Sequence, residues 1–256
     1  MPLNPQFLTA VRLKHAPPAS SYVSSLPVVQ WLLREQVLHL APVTILVGEN
    51  GVGKSTLLEA IAVAAGFNPE GGSINFQFST ADTHSPLYRC LGLIRGTRRP
   101  RDGFFLRAES FYNVATNVDE LAELPGGEVF MERYGGQSLH AQSHGESFLS
   151  LVLNRFVPDG LYLLDEPEAA LSPTRQMTLL CRLYALSRQG CQILLSTHSP
   201  ILLALPGATV YELRSDGIHQ VDWKDTEHYQ ITRRFLDAPE QMLRLLLESE
   251  DSGKGF

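Results

Sequence analysis

The chain runs to 256 residues, 44% of them apolar and 19% charged, with a net charge of −6 and a pI of about 5.7. Such a length and apolar content can bury a large core, as one big domain or a domain with an appendage, and they exclude a disordered or repeat chain. The acidic balance excludes a general polyanion binder, so any contact with nucleic acid needs a local basic patch.

The Met1–Ala10 segment has neither the basic start nor the long apolar core of a secretory signal. No apolar run reaches the ~18–20 residues that cross a bilayer. Cys90, Cys181 and Cys191 are odd in number and follow no metal spacing. They read as reduced, buried thiols, and the expectation is a cytoplasmic protein with no membrane segment of its own.

In chain order, Phe7–Leu13 alternates and predicts an early strand, followed by the breaker-rich stretch His15–Ser25. Val28–Leu33, with Trp31 in it, fits a short helix or a strand. Val43–Val47 is a compact β-branched run that ends at Gly48, the pattern of a buried parallel strand. Ser55–Ala65 carries helix formers with apolar spacing and stops at Gly66. Asn68–Pro86 reads as loop with a strand at Ile74–Phe78. Gly103–Leu106 begins another strand, and Phe111–Leu124 predicts a helix ended by Pro125-Gly126-Gly127. Ser143–Phe156 has a polar start and an apolar continuation, again a helix. Leu161–Leu164 and Gln192–Ser196 predict buried strands on either side of an amphipathic Arg175–Ser187. Val210–Leu213 and Ile218–Val221 form a hairpin pattern around Asp216-Gly217. Gln241–Glu248 predicts a terminal helix, with fraying expected over Asp251–Phe256. Strands alternating with helices imply an α/β fold with a mostly parallel sheet.

Gly48-x-x-Gly51-x-Gly53-Lys54-Ser55 satisfies the P-loop pattern, with a strand before it and a helix after. Glycines let successive N–H groups turn inward on phosphates, and the helix dipole adds attraction. Lys54 is expected to reach the β- and γ-phosphates, the Ser55 hydroxyl to ligate magnesium, and Thr56 to bond the α-phosphate. Asn50, Gly51 and Gly53 complete the predicted ATP cradle. Leu161–Leu164 then runs into Asp165-Glu166, an apolar strand ending in two carboxylates. A strand end beside the phosphate loop suits Asp165 to a direct or outer-sphere magnesium contact. Glu166 points elsewhere and can polarise the attacking water as a general base. His198, in Ser196-Thr197-His198-Ser199-Pro200, lies 33 residues past Asp165 and ends the next strand. It is expected at the same sheet edge, contacting the γ-phosphate or positioning the water.

These motifs together resemble an ATP-binding-cassette ATPase over roughly Phe7 to Leu236. Within that superfamily Asp165-Glu166-Pro167-Glu168-Ala169-Ala170-Leu171-Ser172-Pro173 is similar to the RecF, OLD and SMC-related group, and the whole sequence to bacterial AAA-family ATPases of this length. The resemblance implies a P-loop NTPase fold with helices flanking the sheet and a short helical subdomain at about 110–156. It also implies an ATPase domain over 1–236 and a C-terminal helix and tail over 237–256. A signature motif should open the helix before the Asp165 strand, and Ser143-His144-Gly145-Glu146-Ser147 stands there, 22 residues before the aspartate. In the family this motif closes on ATP held by a second copy, so Ser143, Gly145 and Glu146 become nucleotide contacts in an ATP-dependent homodimer. A plain helix cap by Ser143 is the simpler reading, and the roles are compatible. A glutamine normally follows the strand that enters the helical subdomain. Glu109 occupies that place and becomes a metal-ligand candidate, with Gln77 a weaker one. The acid that the family sets after the Asp-Glu pair is replaced near Ser172. Tyr22 and Trp31 are the aromatics available to stack on adenine, though both also suit core or loop packing.

Arg89, Arg95, Arg98, Arg99, Arg101 and Arg107 concentrate positive charge, with Tyr88, Phe104 and Phe105 interleaved. They fit a nucleic-acid track, a solvated loop paired with acids, or part of the nucleotide site. The segment between Glu109 and Ser143 is short for the docking subdomain of a transporter cassette and lacks the coiled coil of long-arm repair ATPases. Two functions follow. One is an ATPase acting on DNA or a nuclease partner in repair, maintenance or defence against foreign DNA, and the other is the ATP-hydrolysing subunit of a membrane transporter.

Overall fold

A computed structural model describes residues 6–74, 85–125, 127–141 and 143–251. The first elements are β1 (Leu8–Leu13), α1 (Pro27–Glu35), β2 (Val37–His39), β3 (Val43–Gly48), α2 (Lys54–Ala65) and β4 (Gly72–Ser73). Next come α3 (Leu87–Cys90), β5 (Leu91–Arg95), β6 (Asp102–Arg107), α4 (Phe111–Ala122), α5 (Gly127–Glu132), α6 (His144–Arg155) and β7 (Gly160–Asp165). The last are α7 (Pro173–Arg188), β8 (Gln192–Ser196), α8 (Pro200–Leu203), β9 (Thr209–Arg214), β10 (Gly217–Val221), α9 (Glu227–Asp237) and α10 (Pro239–Asp251).

The main sheet has seven strands in the order β10-β9-β3-β8-β7-β6-β4. Its five inner strands pair in parallel, and only the two edges, β10 on β9 and β4 on β6, are antiparallel. Every residue of β3, β7 and β8 is buried, as strands covered on both faces must be. Side chains alternate between the faces: Ile45 and Val47 join a core with Phe111, Phe148 and Leu183, while Leu46 joins one with Leu57, Leu58 and Ile61 of α2. Each such Leu or Ile contributes roughly 1.5–3 kcal/mol on burial. This is the α/β fold with a mostly parallel sheet that the alternation predicts, arranged as the resemblance to P-loop NTPases implies.

Several elements differ from the expectation. Phe7–Leu13 is the strand predicted, and its place is a second sheet: β1 sits between β2 and β5 in a separate antiparallel sheet. Gln192 of β8 ties the two sheets together. Its carbonyl oxygen accepts from the N–H groups of Phe7 and Leu8 at 3.0 and 2.8 Å, and its amide donates to Leu8 O at 2.7 Å. Val28–Leu33 is helical, started by Pro27 at its first position. The strand expected over Ile74–Phe78 falls mostly on residues 75–84, outside the described residues, as do Gln77 and Gly126. Cys90 and Cys191 are buried free thiols, but Cys181 is exposed on α7, because it lies on the side of that helix away from Leu179, Leu183 and Leu186. The C-terminal region holds two helices where one is predicted: α9 packs against α8 and β3, and α10 folds back on α9. Among the described residues no helix is long and apolar enough to cross a membrane.

Candidate functional site

β3 carries the chain to the rim of the sheet and ends at Gly48. The loop then turns through Gly51 and Gly53, whose φ angles of +85° and +100° lie in the left-handed region. At Gly53 a side chain is excluded twice, by this φ and by Val28 of α1, whose Cγ1 would stand 2.6 Å from an added Cβ. The turn starts α2 at Lys54, so Ser55 and Thr56 occupy its first turn, half-buried. Lys54 is 4% exposed and its Nζ donates to Glu49 O at 2.8 Å. Burial lowers its pKa, opposed first by Glu166 and then by Asp165, so the ammonium sits against the acidic rim. Lys54→Ala is expected to weaken ATP binding on the order of a hundredfold by calorimetry, the loss of a charge-assisted phosphate contact. Unchanged affinity would contradict the cradle.

Parallel pairing places Asp165 opposite Ser196, and Leu46 opposite Ser196 as well, so β3, β7 and β8 end at one rim. Ligands of such sheets bind at that edge. Asp165 is 6% exposed. Burial pushes its pKa up to about 6, against the pull of Arg107 and the Ser55 hydroxyl. Its Oδ2 lies 3.6 Å from Arg107 Nε, and its Oδ1 is buried with no hydrogen-bond partner. A hollow of about 430 Å³ opens beside it, lined by Ser55, Ala108, Glu109, Asp165, Glu166 and Ala169. The residues fit magnesium: an orphaned carboxylate oxygen and a serine hydroxyl are hard ligands, and this ion usually takes one or two protein groups beside phosphate and water. Among the described residues no cluster of three or more His, Cys, Asp or Glu could hold a metal ion. Glu109 borders the hollow with an 87% exposed carboxylate, 3.5 Å from Arg107 Nη2.

Glu166 follows with φ +48° and ψ +50°, a conformation that non-glycine residues avoid and that gathers at functional sites. Its N–H donates to Ser196 O at 3.0 Å, locking the turn to β8. The carboxylate extends toward His198, with Oε1 3.4 Å from Nε2. His198 is fixed by its own N–H, which donates to the Glu168 carboxylate, and by a 2.8 Å contact between its Nδ1 and His228 Nε2. Glu49, Asn50, His198 and His228 line a second hollow, of about 410 Å³. Burial lowers the His198 pKa, with Lys54 adding to the effect.

Ser143, Gly145 and Glu146 stand apart from both hollows, at the start of α6. The Ser143 N–H and hydroxyl both donate to the Glu146 carboxylate, at 3.2 and 2.6 Å, and Glu146 also takes Arg175 at 2.8 Å. This is a capping box, so the helix-cap reading of Ser143 describes its contacts within one chain. A Cβ at Gly145 would meet Ala170 O at 2.6 Å, so the α6 start rests on the turn after Glu166. Ser172, where the family has an acid, caps α7 by accepting from the Arg175 N–H.

The arginines do not form one track. Arg107 is spent at the rim, 2.8 Å from Glu59 of α2, and Arg98 pairs with Asp159 at 2.7 Å. Arg95, Arg99 and Arg101 are exposed. Of the candidate aromatics, Trp31 packs over Gly217, whereas Tyr22 is 60% exposed. Sequence reasoning misses Glu59, Glu168 and His228 as neighbours of the site. Glu168 carries a faint signal as a third acid after the strand; Glu59 hides inside a helix and His228 lies far along the chain.

Two family models match parts of the sequence. Residues 130–204 match one described as "AAA domain, putative AbiEii toxin, Type IV TA system", and residues 30–91 match one described as "AAA domain". The chain is 28% identical over 200 residues to the cobalt import ATP-binding protein CbiO of Salmonella typhimurium, across 70% of each chain. It is 28% identical over 162 residues to the cytochrome c biogenesis ATP-binding export protein CcmA of Legionella pneumophila, across 61% of this chain and 78% of that one. A solved structure of CbiO1 from Clostridium perfringens, part of the transporter complex CbiONQ, aligns with 95% of this chain and 100% of that one at 16% identity and a TM-score of 0.49.

Proposed function

Because the chain is an ATPase of the ATP-binding-cassette superfamily, we propose that two copies close on two ATP molecules, and that this cycle serves DNA repair, maintenance or defence against foreign DNA. The observation that carries the hydrolytic part is the convergence of Lys54, Ser55, Asp165, Glu166 and His198 at one sheet rim. The α6 start, which lines neither hollow and is capped by exposed Ser143 and Glu146, is the group a second copy offers to the nucleotide.

In this mechanism the loop N–H groups and Lys54 hold the phosphates of ATP. Magnesium, held by Ser55 and Asp165, would supply charge neutralisation at the β- and γ-phosphates. Glu166 takes a proton from the attacking water, and His198 orients that water or donates to the γ-phosphate. The strained turn at Glu166 fixes where its carboxylate points. Closing and opening of the two copies would convert this local change of charge into a large movement.

The short segment between Glu109 and Ser143 supports the DNA or nuclease reading. The names of the CbiO and CcmA relatives favour a second one, an ATP-hydrolysing subunit serving a membrane-spanning partner. ATP turnover measured with and without single- and double-stranded DNA tests the first. The DNA reading expects stimulated turnover, and a rate indifferent to both forms overturns it.

A further inference from the structure

His228 belongs to none of the motifs, yet it touches His198, two residues past the end of β8 at the rim. It is brought there by the start of α9. Thr226, fully buried, caps that helix and donates its hydroxyl to Trp223 O at 2.7 Å. The Glu227 N–H donates to Glu212 Oε1 of β9 at 2.8 Å. Held on both sides, His228 places Nε2 2.8 Å from His198 Nδ1.

We infer that His228 is a positioning residue that selects the Nε2-protonated tautomer of His198, and so sets its ring as a hydrogen-bond donor toward Glu166 and the γ-phosphate; this rests on the hydrolytic reading of the rim. Burial lowers the pKa of both rings, so each carries a single N–H. One hydrogen therefore lies between them, and it has two placements. If His198 donated from Nδ1, its bare Nε2 would face Glu166 Oε1 at 3.4 Å, lone pair against lone pair. His228 would then carry its hydrogen on Nδ1, a buried atom with no partner. Both features are unfavourable, and an unpaired buried donor is the rarer one in folded proteins. If His228 donates from Nε2, His198 accepts at Nδ1 and presents Nε2–H to the carboxylate. His198 Nε2, itself buried and without a hydrogen bond, then turns its hydrogen toward the Glu166 carboxylate 3.4 Å away instead of a lone pair, and His228 Nδ1 is left as a bare acceptor rather than an unpaired donor. The partner of one ring nitrogen fixes the role of the other.

The test joins a spectrum to kinetics in the full chain. Nitrogen NMR of histidine-labelled protein without nucleotide should show His198 protonated at Nε2 and bare at Nδ1, and His228→Ala should mix the two forms. His228→Gln retains an Nε2 donor at similar reach and should restore the single form. In steady state, His228→Ala should lower kcat about tenfold with KM within about twofold, and the Gln variant should recover to within about twofold of the parent. A His198 protonated at Nδ1 in the parent overturns the inference, and so do Ala and Gln variants that are equally slow or equally unaffected. A parent chain that hydrolyses no ATP sinks the hydrolytic reading alone, because the spectrum still decides the pairing.

Discussion

Glu166→Gln is expected to keep ATP bound while slowing its hydrolysis by roughly 10²–10⁴-fold, the range that a positioned general base contributes. The substitution is nearly isosteric and leaves the left-handed turn and its N–H bond to Ser196 untouched. The amide oxygen can still accept from His198, so the rim keeps its shape. What it loses is basicity, since an amide cannot take the proton of the attacking water. Nucleotide should then hold the two copies closed, and gel filtration in ATP should show a dimer that the parent does not accumulate. A variant that stays monomeric at saturating ATP counts against the closing of two copies on ATP, and one with undiminished turnover counts against Glu166 as the base.

The parts of this site that could be read in the sequence are those whose chemistry is local. Val43–Gly48 is a β-branched, nearly all apolar run because both faces of β3 are covered, and the glycines after it answer to a turn formed within a few residues. Ser143 and Glu146 have the spacing of a capping box, whose two partners sit in one helical turn. What could not be read depends on pairing between distant segments. Leu91–Arg95 is masked by the arginines around it, and it becomes a strand through β1, far earlier in the chain. Arg107 looks like one more member of that basic stretch until the fold sets it between Glu59 and Asp165. His228 has no signal at all: its helix is amphipathic, and only the anchoring of its first turn on β9 brings the ring to His198. The site thus combines a rim specified by motifs with a flank specified by tertiary contact.

Asp165→Asn should make the protein more stable and less active at once. A carboxyl raised to about 6 by burial keeps its proton in the folded chain after the unfolded chain has released it. The folded state binds more protons over that interval, so the stability it contributes is full below about pH 4 and is lost as pH rises through 6. Past that point the buried charge costs about 3 kcal/mol, on the order of the shift. Asparagine carries no such charge, and Arg107 keeps its 2.8 Å pair with Glu59, so the guanidinium is not stranded. At pH 8 without nucleotide the variant should melt roughly 5–10 °C above the parent, with the gap narrowing toward pH 5. The same amide is a weak ligand for a hard divalent ion, so magnesium-dependent turnover should collapse and the thermal gain that magnesium with ATP gives the parent should shrink. An Asn variant that melts lower than the parent at pH 8 would mean that the ionised Asp165 stabilises the fold and that its burial carries no net cost.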